Sequence, residues 1–122
     1  MWLGYQGKLI AAIAKTKAEL ENNYFMTFTK LKKVIKPVEM INGIYYVGQD
    51  DIDKAKQEIV RKYRNSLLET EVDPVVSNPL RWEDMSAEDK KMYKDYRQYL
   101  LNYTKTENWW LKNPLTLEEW KK

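Results

Sequence analysis

The chain has no cysteine and no histidine among its 122 residues. Without cysteine there are no disulfides and no thiolate metal sites. Without histidine, the serine and cysteine hydrolase dyads, the usual zinc sites and the default general base near neutral pH all drop out. Long hydrophobic runs are missing as well. The longest, Leu9 to Ala14, is six residues, against the roughly 20 needed to cross a bilayer. In the opening segment MWLGYQGKLIAAIAKTKAEL a lysine precedes this run, but the run is too short, is followed by Lys15 and Lys17, and leads to no small-residue cleavage site. It reads as part of the fold and not as a signal peptide. The expected location is cytoplasmic, with no membrane association and no cofactor.

What remains for chemistry is carboxylate, lysine, tyrosine and serine, which any chain with 32 % charged residues carries in plenty. No constellation among them commits to a reaction, so an enzyme is not expected. The length is that of one domain, or of a domain with a small appendage.

The order of elements is more legible. Leu9, Ile10, Ile13, Lys17 and Leu20 fall at helical spacings among alanines of high helix propensity, which predicts a helix from about Gln6 to Glu21. Trp2, Leu3 and Tyr5 precede it as a frayed helix start or an exposed adhesive tip. From Tyr24 the composition turns β-branched and aromatic. Asn42-Gly43 between apolar runs predicts a hairpin with a type I′ turn. A strand from about Tyr24 to Lys30 is expected to join that hairpin as a third antiparallel strand. Pro37 cannot donate to a ladder, so its strand should lie at an edge or begin after it.

From Asp50 the helical period returns. Ile52, Ala55, Ile59, Tyr63 and Leu67 line one face of a helix from about Asp51 to Glu69, with Asp50, Asp51 and Asp53 offering an N-cap and favourable charge at its start. EVDPVVSNPLRW, with Pro74 and Pro79, reads as an ordered connector. Ser86, with Asp89 three residues on, starts a last helix that runs to about Tyr103 and carries Met92, Tyr93, Tyr96, Leu100 and Tyr103 on its apolar stripe. The expected fold is α+β: a small three-stranded antiparallel sheet with an N-terminal helix and a C-terminal two-helix module ending in an aromatic tail. Residues 1–49 would hold the N-terminal helix and β-meander and residues 50–122 the helical module, with a single shared core left open.

Three groups of residues invite a functional reading. Lys30, Lys32, Lys33 and Lys36 form a basic cluster, and residues 1–48 carry net +4 while residues 49–122 carry net −1. With Tyr24, Phe25 and Phe28 nearby, such a strand can track a nucleic-acid backbone while rings stack on bases. The stretch has no arginine, however, and lysines commonly guard sheet edges, so edge protection is the favoured reading. DDID at Asp50–Asp53 resembles the start of a calcium loop but lacks the central glycine and the glutamate at the twelfth position, which leaves helix capping as its role. Glu118 with Glu119, and Glu83 with Asp84, are sequence neighbours that do not face each other on a helix and form no acid/base pair. Trp109, Trp110 and Trp120 are the third group. They serve either as an interface hot spot or as packing, and the adjacent pair is expected to split, one ring inward and one outward.

From about Ile59 onward, the elements RNSLLETEVD, NPL, MSAED, YKDYRQYLLNY and WWLKNPL occur in this order. In these the chain resembles the tail assembly chaperone and tail-fibre assembly families of tailed bacteriophages and prophages, including the XkdW-type proteins of defective prophages. Family members usually carry an aromatic soon after the LLxET element, where this chain has Val72 and Asp73. The resemblance implies a non-enzymatic accessory factor, in the host cell cytoplasm, whose partner is a tail or tail-fibre protein. Arg61, Arg64, Leu67, Leu68, Tyr96, Arg97, Leu100, Trp109 and Pro114 fall on the family pattern. The expected partner-binding residues are Trp2, Tyr5, Arg97, Trp109, Trp110 and Trp120. A small phage-encoded inhibitor of a host protein is the alternative, with a nucleic-acid-binding module behind it.

Overall fold

A computed structural model describes residues 1–23 and 26–122. The chain is α+β and divides into two compact units, Met1–Ala55 and Lys56–Lys122.

In unit one, β1 (Trp2–Gln6) and β2 (Leu9–Ala14) form an antiparallel hairpin where a helix from Gln6 was expected. Gly7, at φ 64°, begins the two-residue turn between Gln6 and Leu9. A positive φ at the first central position alone matches a type II′ turn, which glycine enters without a steric penalty. The register runs Leu3↔Ile13, Gly4↔Ala12 and then Tyr5↔Ile10, so Ala11 is a bulged extra residue. The bulge explains the misreading. Ile10 and Ile13 are three apart, a helical spacing, yet with one residue extruded both pair on the face that carries Tyr5 and Leu3. Only Lys17–Glu21 is helical (α1), capped by the Thr16 hydroxyl, which accepts from the Glu19 N–H.

The third strand, β3 (Lys30–Lys33), pairs with β1 and not with the Asn42-Gly43 hairpin, giving the sheet order β2-β1-β3. The expected strand start at Tyr24 lies outside the described residues. Asn42 and Gly43 both have positive φ, 50° and 81°, as a type I′ turn requires. They join β4 (Val38–Ile41) to β5 (Ile44–Val47) in a separate two-stranded sheet, and β4 begins directly after Pro37. Leu3 is buried in the central strand, so this segment is a strand and not the frayed helix start expected for it. Leu20 and Ile52 are the other large buried side chains among the described residues of the unit.

Helix α2 (Gln49–Leu67) runs from unit one into unit two. Its first helical hydrogen bond ends on the Gly48 carbonyl, from the Ile52 N–H. Gly48 therefore occupies the cap position, and Asp50 and Asp51 act through charge in the first turn and not as caps. After Leu67 the chain widens into a π-helical turn, Leu68–Val72. Leu67 and Val72 are five residues apart, which on a continuous α-helix sets side chains about 140° from each other. The wider turn brings both into one core. The connector is largely helical: α3 (Asp73–Val76) and α4 (Pro79–Glu83), each with proline in its first turn, where its missing N–H is not needed. Asn78 caps α4 through its side-chain oxygen.

Helix α5 (Ala87–Tyr103) starts as expected, with the Ser86 hydroxyl accepting from the Asp89 N–H. Tyr93, Tyr96 and Leu100 are buried from its stripe, while Met92 and Tyr103 are half-buried. With Leu67, Val72, Val75 and Leu117 they form the core of unit two. A 3-10 turn (Trp109–Leu111) and α6 (Leu117–Lys121) complete the tail.

Helix α6 is held at its start by a reciprocal cap. The Thr116 hydroxyl accepts from the Glu119 N–H, and the Glu119 carboxylate accepts from the Thr116 N–H and hydroxyl. These bonds, the backbone one first, hold the Glu119 carboxyl below the usual glutamate range. A depressed folded-state pKa means stabilisation that is present above the ordinary carboxylate pKa and lost as pH falls through the depressed value. Helix α6 should therefore fray in acid. Trp120 fluorescence should report the change, and Glu119→Gln should remove that pH dependence; an acid response unchanged in Glu119→Gln would assign it to another group.

Candidate partner-binding surfaces

The aromatic residues of the C-terminal stretch are mostly engaged with one another. On α5, Tyr96, Tyr99 and Tyr103 recur at three- and four-residue spacing, so their hydroxyls leave the helix on one side. Each meets the returning tail. Tyr96 Oη donates to the Leu115 carbonyl at 2.9 Å, Tyr99 Oη accepts from the Leu115 N–H at 2.9 Å, and Tyr103 Oη donates to the Lys112 carbonyl at 2.6 Å. Trp120 closes the set, its ring stacked on Tyr99 at 4.8 Å and tilted against Tyr96 at 5.8 Å. The element YRQYLLNY is thus a hydroxyl ladder that anchors Lys112 and Leu115, and Pro114 between them is buried. Burial, reinforced by the Glu71 carboxylate, pushes the Tyr96 phenol up to about 12. Burial also raises Tyr103.

Trp109 is the inward member of its pair, 9 % exposed, with the Arg61 guanidinium 5.4 Å from its ring centre. Trp110 is half-buried and meets Trp109 edge-on at 5.9 Å. Asn108, in the left-handed region, turns the chain into this step. Arg64 donates to the Leu100 carbonyl at 3.4 Å, in the last turn of α5, where carbonyls lack helical partners. Of the residues on the family pattern, Leu67, Tyr96, Leu100, Trp109 and Pro114 are buried, while Arg61 lies near the Trp109 ring and Arg64 bonds the Leu100 carbonyl. Arg97 is exposed on α5.

Beside these engaged aromatics stand apolar side chains that the fold leaves outside. Leu115, on the segment held by the tyrosine ladder, is 41 % exposed, Leu111 just before it is 62 % exposed, and Leu80 on α4 is 77 % exposed. Sequence reasoning followed the tryptophans and missed these leucines; the nearest signal is their place in WWLKNPL, where an apolar residue follows each bulky group. It also missed Trp82, half-buried with Lys90 and Lys94 near its ring at 6.0 and 5.9 Å.

In unit one, Trp2 and Tyr5 are half-buried strand residues, each with a lysine amine 5.7 Å from its ring centre: Lys17 for Trp2, Lys30 for Tyr5. Phe28 is half-buried and packs over Gly4. Tyr24 and Phe25, the other rings of the nucleic-acid reading, lie outside the described residues. Lys30, Lys32 and Lys33 are exposed on β3, and Lys36 on the segment after it. Among the described residues no group of three or more Asp or Glu is placed to hold a metal ion, and Asp53 accepts from the Gln49 side chain at 2.8 Å. No helix among them is long and apolar enough to cross a membrane. No protein-family model, curated protein or solved structure matches the chain.

Proposed function

We propose that the chain is a non-enzymatic accessory protein of a phage or prophage that assists tail or tail-fibre assembly by binding a structural partner. The observation that carries this reading is the segment from Trp109 to Leu115. Three tyrosine hydroxyls anchor its backbone at Lys112 and Leu115, and it presents Leu115 and the adjoining Leu111 to solvent. A leucine on a mobile loop loses entropy when it binds, whereas one on a pre-ordered segment has lost most of it already. Exposed apolar side chains on a rigid frame serve to cover an apolar patch of an immature tail or fibre protein until assembly buries it. The resemblance of the C-terminal elements to tail assembly chaperones supplies the class of partner.

The test is co-expression of the tagged chain with the tail and tail-fibre proteins of the same genome. One of them should co-purify and gain soluble yield. The double variant Leu111→Asp, Leu115→Asp should weaken that complex by about 2 kcal/mol or more, roughly 30-fold, with an unchanged melting temperature. Retained binding in the variant would remove this surface from the proposal. Co-purification of a host enzyme, with loss of its activity, would identify an inhibitor instead.

A further inference from the structure

One edge of the larger sheet is open. Sheet order ends at β3, so that among the described residues no strand pairs with its outer side. Met1 and Val34 exchange both backbone bonds, at 3.2 and 2.9 Å. In an antiparallel ladder such closed pairs recur at every second residue, which makes Lys32 opposite Leu3 the next one. Leu31 and Lys33 therefore turn their N–H and C=O groups away from β1, toward the open side.

The side chains along this edge share one sign. By strand alternation Lys30 and Lys32 stand on one face and Lys33 on the other, with Lys36 following. No aspartate or glutamate occurs between Asn22 and Val38. Among the described residues, Lys32, Lys33 and Lys36 enter no ion pair. Where the strand ends, Lys32, Lys33, Val34, Ile35, Lys36 and Val47 line a hollow of about 500 Å³. Ile35 is 96 % exposed there. The hollow thus has aliphatic walls and a cationic rim.

We propose that the free edge of β3 binds an extended acidic segment of a protein partner, which adds as a fourth strand and seats one aliphatic side chain in the hollow. The outward amides of Leu31 and Lys33 supply main-chain bonds, and the hollow supplies side-chain selection, the two components of recognition by strand addition. Charge decides which strand is accepted. A second copy of β3 would set lysine against lysine and is repelled, while carboxylates on either face of an incoming strand meet Lys30, Lys32 or Lys33. The lysines that protect the edge from self-association thereby select an acidic partner. A nucleic acid would satisfy the amines but would leave the aliphatic hollow unfilled and the outward amides without a peptide ladder. The proposal concerns unit one alone and is independent of the assembly reading.

The test uses the full-length ¹⁵N-labelled chain and the blocked peptide VEVEEIV at low salt. Amide exchange at Leu31 and Lys33 should slow by about tenfold or more on saturation, while Lys30 and Lys32, already paired with β1, change little. Binding should weaken as salt rises. Lys32→Glu with Lys33→Glu should weaken VEVEEIV by about tenfold and admit VKVKKIV instead, since two cross-strand charge pairs change sign. Ile35→Asp lies outside the strands, so it leaves the ladder intact, and it should weaken VEVEEIV comparably. Absence of binding at millimolar peptide, binding without protection at the alternate amides, or equal binding by the charge-reversed variant would each overturn the proposal. So would displacement of the peptide by a single-stranded oligonucleotide that depends on the same lysines, which would make the edge a nucleic-acid surface.

Discussion

Tyr96→Ala should unfold the C-terminal unit. The side chain is fully buried among Leu67, Val72, Tyr93, Leu100 and Leu117, and truncating a buried aromatic to alanine costs about 3 to 5 kcal/mol. That is comparable to the lower end of the total stability of a domain, about 5 to 15 kcal/mol. Denaturant unfolding followed by tryptophan fluorescence would measure it, since Trp120 lies against the Tyr96 ring. Tyr96→Phe keeps the ring but leaves the Leu115 carbonyl without its 2.9 Å donor, a loss of about 1 to 2 kcal/mol. The phenol also sets a pH signature. Its folded-state pKa is pushed from the ordinary value of about 10 up to about 12, chiefly by burial. A raised folded-state pKa means stabilisation that is complete below the ordinary phenol value and lost as pH rises through the interval to about 12. The loss over that interval is on the order of 2 to 3 kcal/mol. Tyrosine ionisation followed by ultraviolet absorbance should show a late-titrating phenol that is absent from Tyr96→Phe. A Tyr96→Ala variant that stays folded would show that the tyrosine ladder does not hold the unit together.

The second large effect is expected at Gly4→Val. Gly4 is buried in the central strand, and a Cβ built there falls 2.7 to 3.0 Å from three atoms of the Phe28 ring. The glycine is required by the close approach of that ring, since its φ is not in the left-handed region. Valine would displace Phe28 or the strand, at about 1 to 3 kcal/mol. The displaced ring lines the hollow formed with Leu20, Met26 and Leu31, so α1 should loosen with it. Thermal unfolding measures the cost. In a Phe28→Ala background the cost of Gly4→Val should shrink by most of its value, because residues in contact are coupled. Equal costs in both backgrounds would mean that the ring is not what excludes a side chain at Gly4.

Local chemistry was readable where one or two residues suffice to set the backbone. Asn42-Gly43 specifies its turn, Ser86 its helix start, and Pro37 the start of β4, because each acts on φ or on a hydrogen bond within a few residues. The Thr116–Glu119 cap is equally legible in TLEE, where threonine and glutamate stand at the capping-box spacing. The candidate surface was less accessible. Tryptophan content pointed to Trp109, Trp110 and Trp120, yet their exposure depends on Arg61, Tyr96 and Tyr99, which are distant in sequence. The exposed Leu115 looks like a core residue until the tyrosine ladder fixes the direction of its backbone.

The sequence by itself determined what chemistry is absent, where α2 and α5 run, and where the Asn42-Gly43 hairpin turns, since composition and short-range capping and turn rules act without knowledge of the fold. Tertiary structure alone decided that residues 9–14 form a strand, that β3 joins β1, and that Val72 reaches the core. Each of these turns on one displaced residue or one distant pairing. The bulge at Ala11 and the π-helical turn at Leu68–Val72 change which side chains share a face, and only packing against the rest of the chain selects them.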